Sequence, residues 1–185
     1  PYLTKHENAI SVGRLWDFGK NAALLNRVNS PFPIYLAGSE QNPNDDKTPT
    51  ASGQYGLYRR VYLKGVQSEA QLRQLYARAS IYIATSQYEP FGLAPLEAAM
   101  SRCAIVASDI PSFREIWGDA AIYFANNDPE SLQQVLAKLH DEPELRATYG
   151  TLAFQRASSR YTSARMLEEY LHLYNALVPA GALAA

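Results

Sequence analysis

Apolar residues along the chain fall into two patterns. Short continuous runs (Ala9 to Gly13, Ile34 to Ala37, Val61 to Lys64, Ile81 to Thr85, Ala104 to Ala107 and Ala121 to Phe124) alternate with stretches of three- and four-residue periodicity. The runs lack polar alternation, which predicts strands covered on both faces. Between them, Asn21 to Val28 carries Ala22, Leu25 and Val28 at three-residue spacing, and Pro31 and Pro33 stop that helix. Ser68 with Gln71 fits a capping box opening a helix to about Ala79, whose apolar stripe is Leu72, Leu75, Tyr76 and Ala79. Ala94 to Met100 is small-residue-rich and helical, and Pro111 to Trp117 predicts a short helix. Asp128 before Pro129 reads as an N-cap with a first-turn proline, and helices are expected near 129–140, 142–158 and 162–177.

Strands alternating with helices predict an α/β fold: a doubly wound, Rossmann-like parallel sheet flanked by helices. Such sheets bind ligands outside the carboxyl ends of their strands. The loops 14–20, 39–56 and 86–93 fall there, and 39–56, rich in Asn, Asp, Pro, Gly and Thr, reads as a long mobile surface loop.

Composition narrows this picture. At 185 residues and 47% hydrophobic, the chain fits one domain over 1–178 with a tail at 179–185. A net charge of -1 gives no reason to expect a nucleic-acid partner. Cys103 is the single cysteine, so no internal disulfide is possible, and its apolar neighbours suggest a small buried hydrophobe. No leader peptide and no transmembrane segment is expected. The start at Pro1 and the tail VPAGALAA are those expected of a segment of a longer protein.

Four groups of residues are candidates for chemistry. Arg14 and Lys20 follow the first strand, near a helix start, where backbone N–H groups and two cations would favour a phosphate. Gly13 and Gly19 let the backbone approach a ligand there. The spacing matches neither a dinucleotide fingerprint nor a P-loop. Glu89 and Glu97 bracket a turn-prone stretch, and two carboxylates can accept hydrogen bonds from vicinal hydroxyls. The backbone of Phe91, Gly92 and Leu93 leads into a helix and could offer N–H groups to a phosphate or sugar. Each of these also reads as ordinary surface charge or packing. No metal site is expected, because His6, His140 and His172 are scattered without a carboxylate or cysteine cluster.

The loops carry a resemblance. YEPFGLAPLEAAM (residues 88–100), SVGRLWDFGKN (11–21) and RCAIVASDIPSFREIWGDAAIYF (102–124), in this order, resemble the C-terminal domain of the family 4 retaining glycosyltransferases, which have the two-domain GT-B fold. Glu89 and Glu97 match the family's E-x7-E motif, and Arg14 and Lys20 its phosphate-binding segment. The resemblance implies that Arg14 and Lys20 neutralise the donor pyrophosphate, while Glu89 binds donor-sugar hydroxyls near the reacting centre. It implies that Glu97 takes the ribose, that Gly13 and the Phe91, Gly92 and Leu93 backbone contact sugar and phosphates, and that Ser39, Gly65 and Val66 line the nucleotide pocket. No tightly bound cofactor and no metal is implied; the donor is a UDP-, GDP- or ADP-sugar. An acceptor saccharide or lipid-linked acceptor would be held by an N-terminal domain absent from this sequence. The resemblance further implies polysaccharide or glycolipid synthesis at a cytoplasmic site, peripheral to the inner membrane face in the full-length enzyme, and little or no transfer by this domain alone. The Arg14 to Lys20 spacing is one residue longer than the commonest VGRL-x3-K form, and the added stretch contains Trp16 and Asp17. A GT-B-like sugar-nucleotide epimerase and a non-catalytic nucleotide-binding module remain alternatives.

Overall fold

The computed structural model describes residues 4–44 and 60–177. Six strands form one sheet: β1 (His6–Val12), β2 (Ile34–Ala37), β3 (Val61–Gly65), β4 (Ala79–Ala84), β5 (Ala104–Ser108) and β6 (Ala121–Phe124). Their spatial order is β3-β2-β1-β4-β5-β6, with every neighbouring pair parallel. The helices are α1 (Glu69–Arg78), α2 (Leu93–Met100), α3 (Pro111–Trp117), α4 (Pro129–Asp141), α5 (Pro143–Arg160) and α6 (Ser163–Leu177). The order reverses between β1 and β4, and the crevice of a doubly wound sheet opens at that switch point.

The continuous apolar runs have a simple cause. Successive strand residues point to opposite faces, and each face carries its own core. On one face Ile81 and Ile83 of β4 pack with Leu24, Leu25, Phe32 and the α4 residues Leu132, Leu136 and Leu139. On the other, Tyr82 and Ala84 pack with Ala98 and Ala99 of α2, Phe113 and Trp117 of α3, and Ala153 and Ala157 of α5. Every residue of β4 and β5 is buried. The alanines of α2 and α5 keep those helices close to the sheet, as the small-residue composition suggests.

The expected caps form. Ser68 and Gln71 exchange their reciprocal bonds at the start of α1, and Asp128 Oδ1 accepts from the N–H groups of Glu130 and Ser131. Three expectations are corrected. The segment expected as a helix over 21–28 is a 3-10 helix, Ala22–Arg27, entered through Asn21 in a left-handed conformation (φ 49°). Its three-residue spacing suits a helix of three residues per turn. β1 begins at His6 and stops at Val12, because backbone pairing with β4 at His6 extends it beyond its apolar run and Gly13 already belongs to the following loop. The helix before β4 ends at Arg78 and the strand starts at once, at Ala79. Lys5 makes this abrupt junction possible by donating from Nζ to the carbonyls of Tyr76 (2.9 Å) and Ala79 (2.7 Å), which satisfies groups left open at the helix end. Helix α6 contributes no buried residue among those described. Most of the loop expected over 39–56 and the tail at 179–185 lie outside the described residues.

Candidate functional site

The candidate site lies at the carboxyl ends of β1 and β4. It is an open crevice lined among others by Gly13, Arg14, Lys20, Tyr82, Thr85 and Glu89. Its frame begins with backbone contacts to β2. Gly13 N–H donates to Ala37 O (3.0 Å) and Leu15 N–H to Ser39 O (2.8 Å). Gly38 stands between them with φ +142°, and a Cβ there would lie 1.7 Å from Gly13 O. Only glycine tolerates that approach.

The loop 13–21 is then folded on itself. Asp17 Oδ1 accepts the Gly19 N–H at 2.8 Å, and Asp17 O accepts those of Lys20 (2.9 Å) and Asn21 (3.2 Å). The β4 loop locks onto it: Thr85 Oγ1 donates to Lys20 O at 2.8 Å and Gln87 N–H to Gly19 O at 2.9 Å. These bonds bring Lys20 Nζ onto Glu89 Oε2 in an ion pair. Ser86 Oγ approaches the same oxygen at 3.5 Å. The two side chains are 27% and 11% exposed, so the pair sits low in the crevice wall. Arg14 is the more open cation, 61% exposed, paired with Asp17 Oδ2 at 2.6 Å and lying 5.5 Å from the Trp16 ring centroid.

On the far side Gly92 takes φ +87° to start α2, with no side chain capping that helix end. A Cβ at Gly92 would come within 3.3 Å of Glu89 Cγ, so glycine lets the Glu89 side chain pass under the helix start. The Tyr82 hydroxyl donates to Val12 O at 3.2 Å in the crevice floor. Burial, joined by the charges of Glu89 and Glu97, raises its pKa far above the ordinary tyrosine range, so it stays a neutral donor.

The structure therefore brings Gly13, Arg14, Lys20 and Glu89 to one crevice. Glu97 is on the exposed side of α2, outside that lining, although its charge reaches Tyr82. Phe91 turns its ring inward, edge-on to Tyr161 at 5.3 Å, while Leu93 is exposed at the helix start. Ser39, Gly65 and Val66 sit at the carboxyl ends of β2 and β3, one strand away from the crevice, where Gly65 O accepts the Gly38 N–H at 2.9 Å. Sequence reasoning did not single out Tyr82, Thr85, Ser86 or the part played by Asp17. The Asp17-Phe18-Gly19 order carried a usable signal, since Asp before a glycine two residues on favours a turn closed by its own side chain. Among the described residues no group of three or more His, Cys, Asp or Glu is placed to hold a metal ion. No helix among them is long and apolar enough to cross a membrane.

Cys103 is buried at the opposite, amino edge of the sheet. Its thiol donates to Ala79 O at 3.2 Å and receives Lys5 Nζ at 3.6 Å. Burial pushes its pKa up to about 11, against the opposing effect of Lys5.

Strand order and crevice together define a doubly wound, Rossmann-like fold. The chain belongs to the glycosyl transferases group 1, whose family model matches residues 16–156. It is 31% identical over 125 residues to the lipopolysaccharide core biosynthesis mannosyltransferase LpcC of Rhizobium leguminosarum, a match covering 66% of this chain and 35% of the relative. It is 28% identical over 112 residues to the alpha-maltose-1-phosphate synthase of Mycolicibacterium smegmatis, covering 56% and 29% of the two chains. The chain thus spans about a third of the length of these relatives. Among solved structures, Anabaena HepE in complex with UDP-glucose superimposes with a TM-score of 0.78 at 19% identity, over 92% of this chain and 49% of that one. The catalytic domain of cholesterol-alpha-glucosyltransferase from Helicobacter pylori gives 0.67 at 20% identity, over 85% of this chain and 100% of that one.

Proposed function

We propose that this chain is the donor-binding half of a retaining glycosyltransferase, which moves a sugar from a nucleoside diphosphate to an acceptor hydroxyl. The observation that carries the reading is the convergence of Arg14, Lys20 and Glu89 on one crevice at the switch point of the sheet. Arg14 and Lys20 meet the donor diphosphate and stabilise the negative charge that builds on the leaving nucleotide as the glycosidic bond breaks. Glu89 accepts hydrogen bonds from donor-sugar hydroxyls, and Glu97, further along α2, accepts those of the ribose. The amides of Gly13, Phe91, Gly92 and Leu93 contact sugar and phosphates, and Ser39, Gly65 and Val66 border the nucleoside. HepE, with the same fold, is a structure in complex with UDP-glucose, which supports a nucleotide sugar as ligand here. The reaction needs no metal, because the two cations supply the positive charge a metal would bring.

The acceptor, a saccharide or a lipid-linked one, is held by polypeptide beyond these residues. A single wall of a cleft neither excludes water nor orients a second substrate, so this chain alone binds donor without appreciable transfer. The site operates in the cytoplasm, at the inner membrane face where the acceptor is lipid-linked.

Calorimetric titration of the 185-residue chain with UDP, GDP and ADP tests this. Saturable binding of one nucleotide, weakened by Glu97→Ala, is expected, and it names the base. Folded protein that binds none of the three, here and in the longer enzyme, would overturn the reading.

A further inference from the structure

We infer that Asp17 is a positioning residue of the anion site: it builds the 14–20 loop and holds Arg14 in a pairing that a donor phosphate replaces. This rests on the donor-site reading above. Asp17 uses every acceptor it has within the loop. One carboxylate oxygen takes the Gly19 N–H (2.8 Å), the other takes Arg14 Nη2 (2.6 Å), and the carbonyl takes the Lys20 N–H (2.9 Å). Gly19 in turn accepts from Gln87, so the turn closed by Asp17 also fixes the β4 loop that carries Glu89. Both cations of the crevice descend from this one residue, Arg14 through its side chain and Lys20 through the backbone.

The charges lead to the second half of the inference. Arg14 is matched by Asp17 and Lys20 by Glu89, so the four groups together are neutral. A diphosphate gains a free cation only by displacing a carboxylate. The Arg14–Asp17 pair is the more exposed of the two, on both partners, and exposed pairs hold weakly. A phosphate offers the Arg14 guanidinium two parallel acceptors and a larger charge. Arg14 is therefore the cation that changes partner, and Asp17 both presents it and competes for it.

Two substitutions separate these roles. Asp17→Asn keeps an oxygen for the Gly19 N–H but removes the negative charge that pairs with Arg14; Asp17→Ala removes both. Calorimetry with UDP, GDP, ADP and inorganic pyrophosphate, together with amide hydrogen exchange at Gly19, reads them. In Asp17→Asn the Gly19 amide stays protected and the best nucleotide binds about three- to tenfold tighter, since the competing pair is gone. In Asp17→Ala the Gly19 amide loses protection and binding weakens about tenfold at an unchanged fold by circular dichroism. Equal weakening in both variants overturns the competition. Unchanged Gly19 exchange in Asp17→Ala overturns the turn-building role. If neither the unmodified chain nor the longer enzyme binds any of the four probes, the donor-site reading falls and the competition with it. Gly19 exchange alone then decides whether Asp17 builds the loop.

Discussion

The two edges of the sheet each hold a lysine, and they use it in opposite ways. At the amino edge Lys5 donates to two backbone carbonyls and a thiol, 74 and 98 residues away in sequence for Ala79 and Cys103. Those carbonyls belong to a helix end and a strand start, so the cation there is part of the frame. Burial lowers its pKa, with Cys103 opposing. At the carboxyl edge Lys20 and Arg14 pair with carboxylates beside an open crevice. A carboxylate partner can be replaced by another anion, whereas a backbone carbonyl cannot. The difference teaches how to separate a structural cation from an available one: what matters is the chemistry of its partner and whether solvent reaches the pair.

Four substitutions test that contrast, from the strongest effect to the weakest. Gly38→Ala strikes the frame of the carboxyl edge, with both a disfavoured φ and a Cβ inside the Gly13 carbonyl. A loss of about 4 kcal/mol is expected in the unfolding free energy from denaturant titration; an unchanged midpoint would show that the close approach of β1 and β2 is not required. Lys20→Met should affect both stability and binding. Glu89 would be left near-buried without its counterion, at a cost of about 2 kcal/mol, and affinity for the bound nucleotide should fall roughly thirtyfold. Lys5→Met should cost about 1 kcal/mol by leaving the Tyr76 and Ala79 carbonyls only the weak Cys103 thiol as side-chain donor, with affinity of the folded fraction unchanged; weaker binding would break the separation of the edges. Arg14→Met should be the mirror case. Its exposed pair holds less than about 0.5 kcal/mol of stability, while nucleotide affinity drops about tenfold.

Much of this architecture was legible because it is written in local patterns. The continuous apolar runs located the six strands of the described residues, since a strand that feeds two cores has no polar phase. Ser68 and Asp128 announced their helices because a cap is a matter of three or four neighbouring residues. The site was legible in part. Arg14 and Lys20 stood out as cations beside glycines and Glu89 as one of two carboxylates, and the fold places the three in one crevice. What stayed hidden depends on contacts between distant residues. Thr85 is an ordinary hydroxyl until the fold lays it against Lys20 O, 65 residues away, and Tyr82 is an ordinary strand tyrosine until its hydroxyl meets Val12 O. The orientation of Glu97 is set by how α2 sits on the sheet, which its own sequence leaves equally open to either face. Asp17 is the middle case: its turn was readable, but its grip on Arg14 required the loop geometry.

Cys103 gives this domain a built-in clock. Its thiol is fully buried, and at pH 8 almost none of it is ionised, because its pKa lies at about 11. A soluble thiol reagent can reach the sulfur only when the amino edge opens, so the labelling rate counts openings of the fold and not encounters with the surface. Nucleotide bound at the other edge would make those openings rarer through mass action. The rate at which one atom at the amino edge is labelled thereby becomes a measure of occupancy at the carboxyl edge, with no probe added to the site itself.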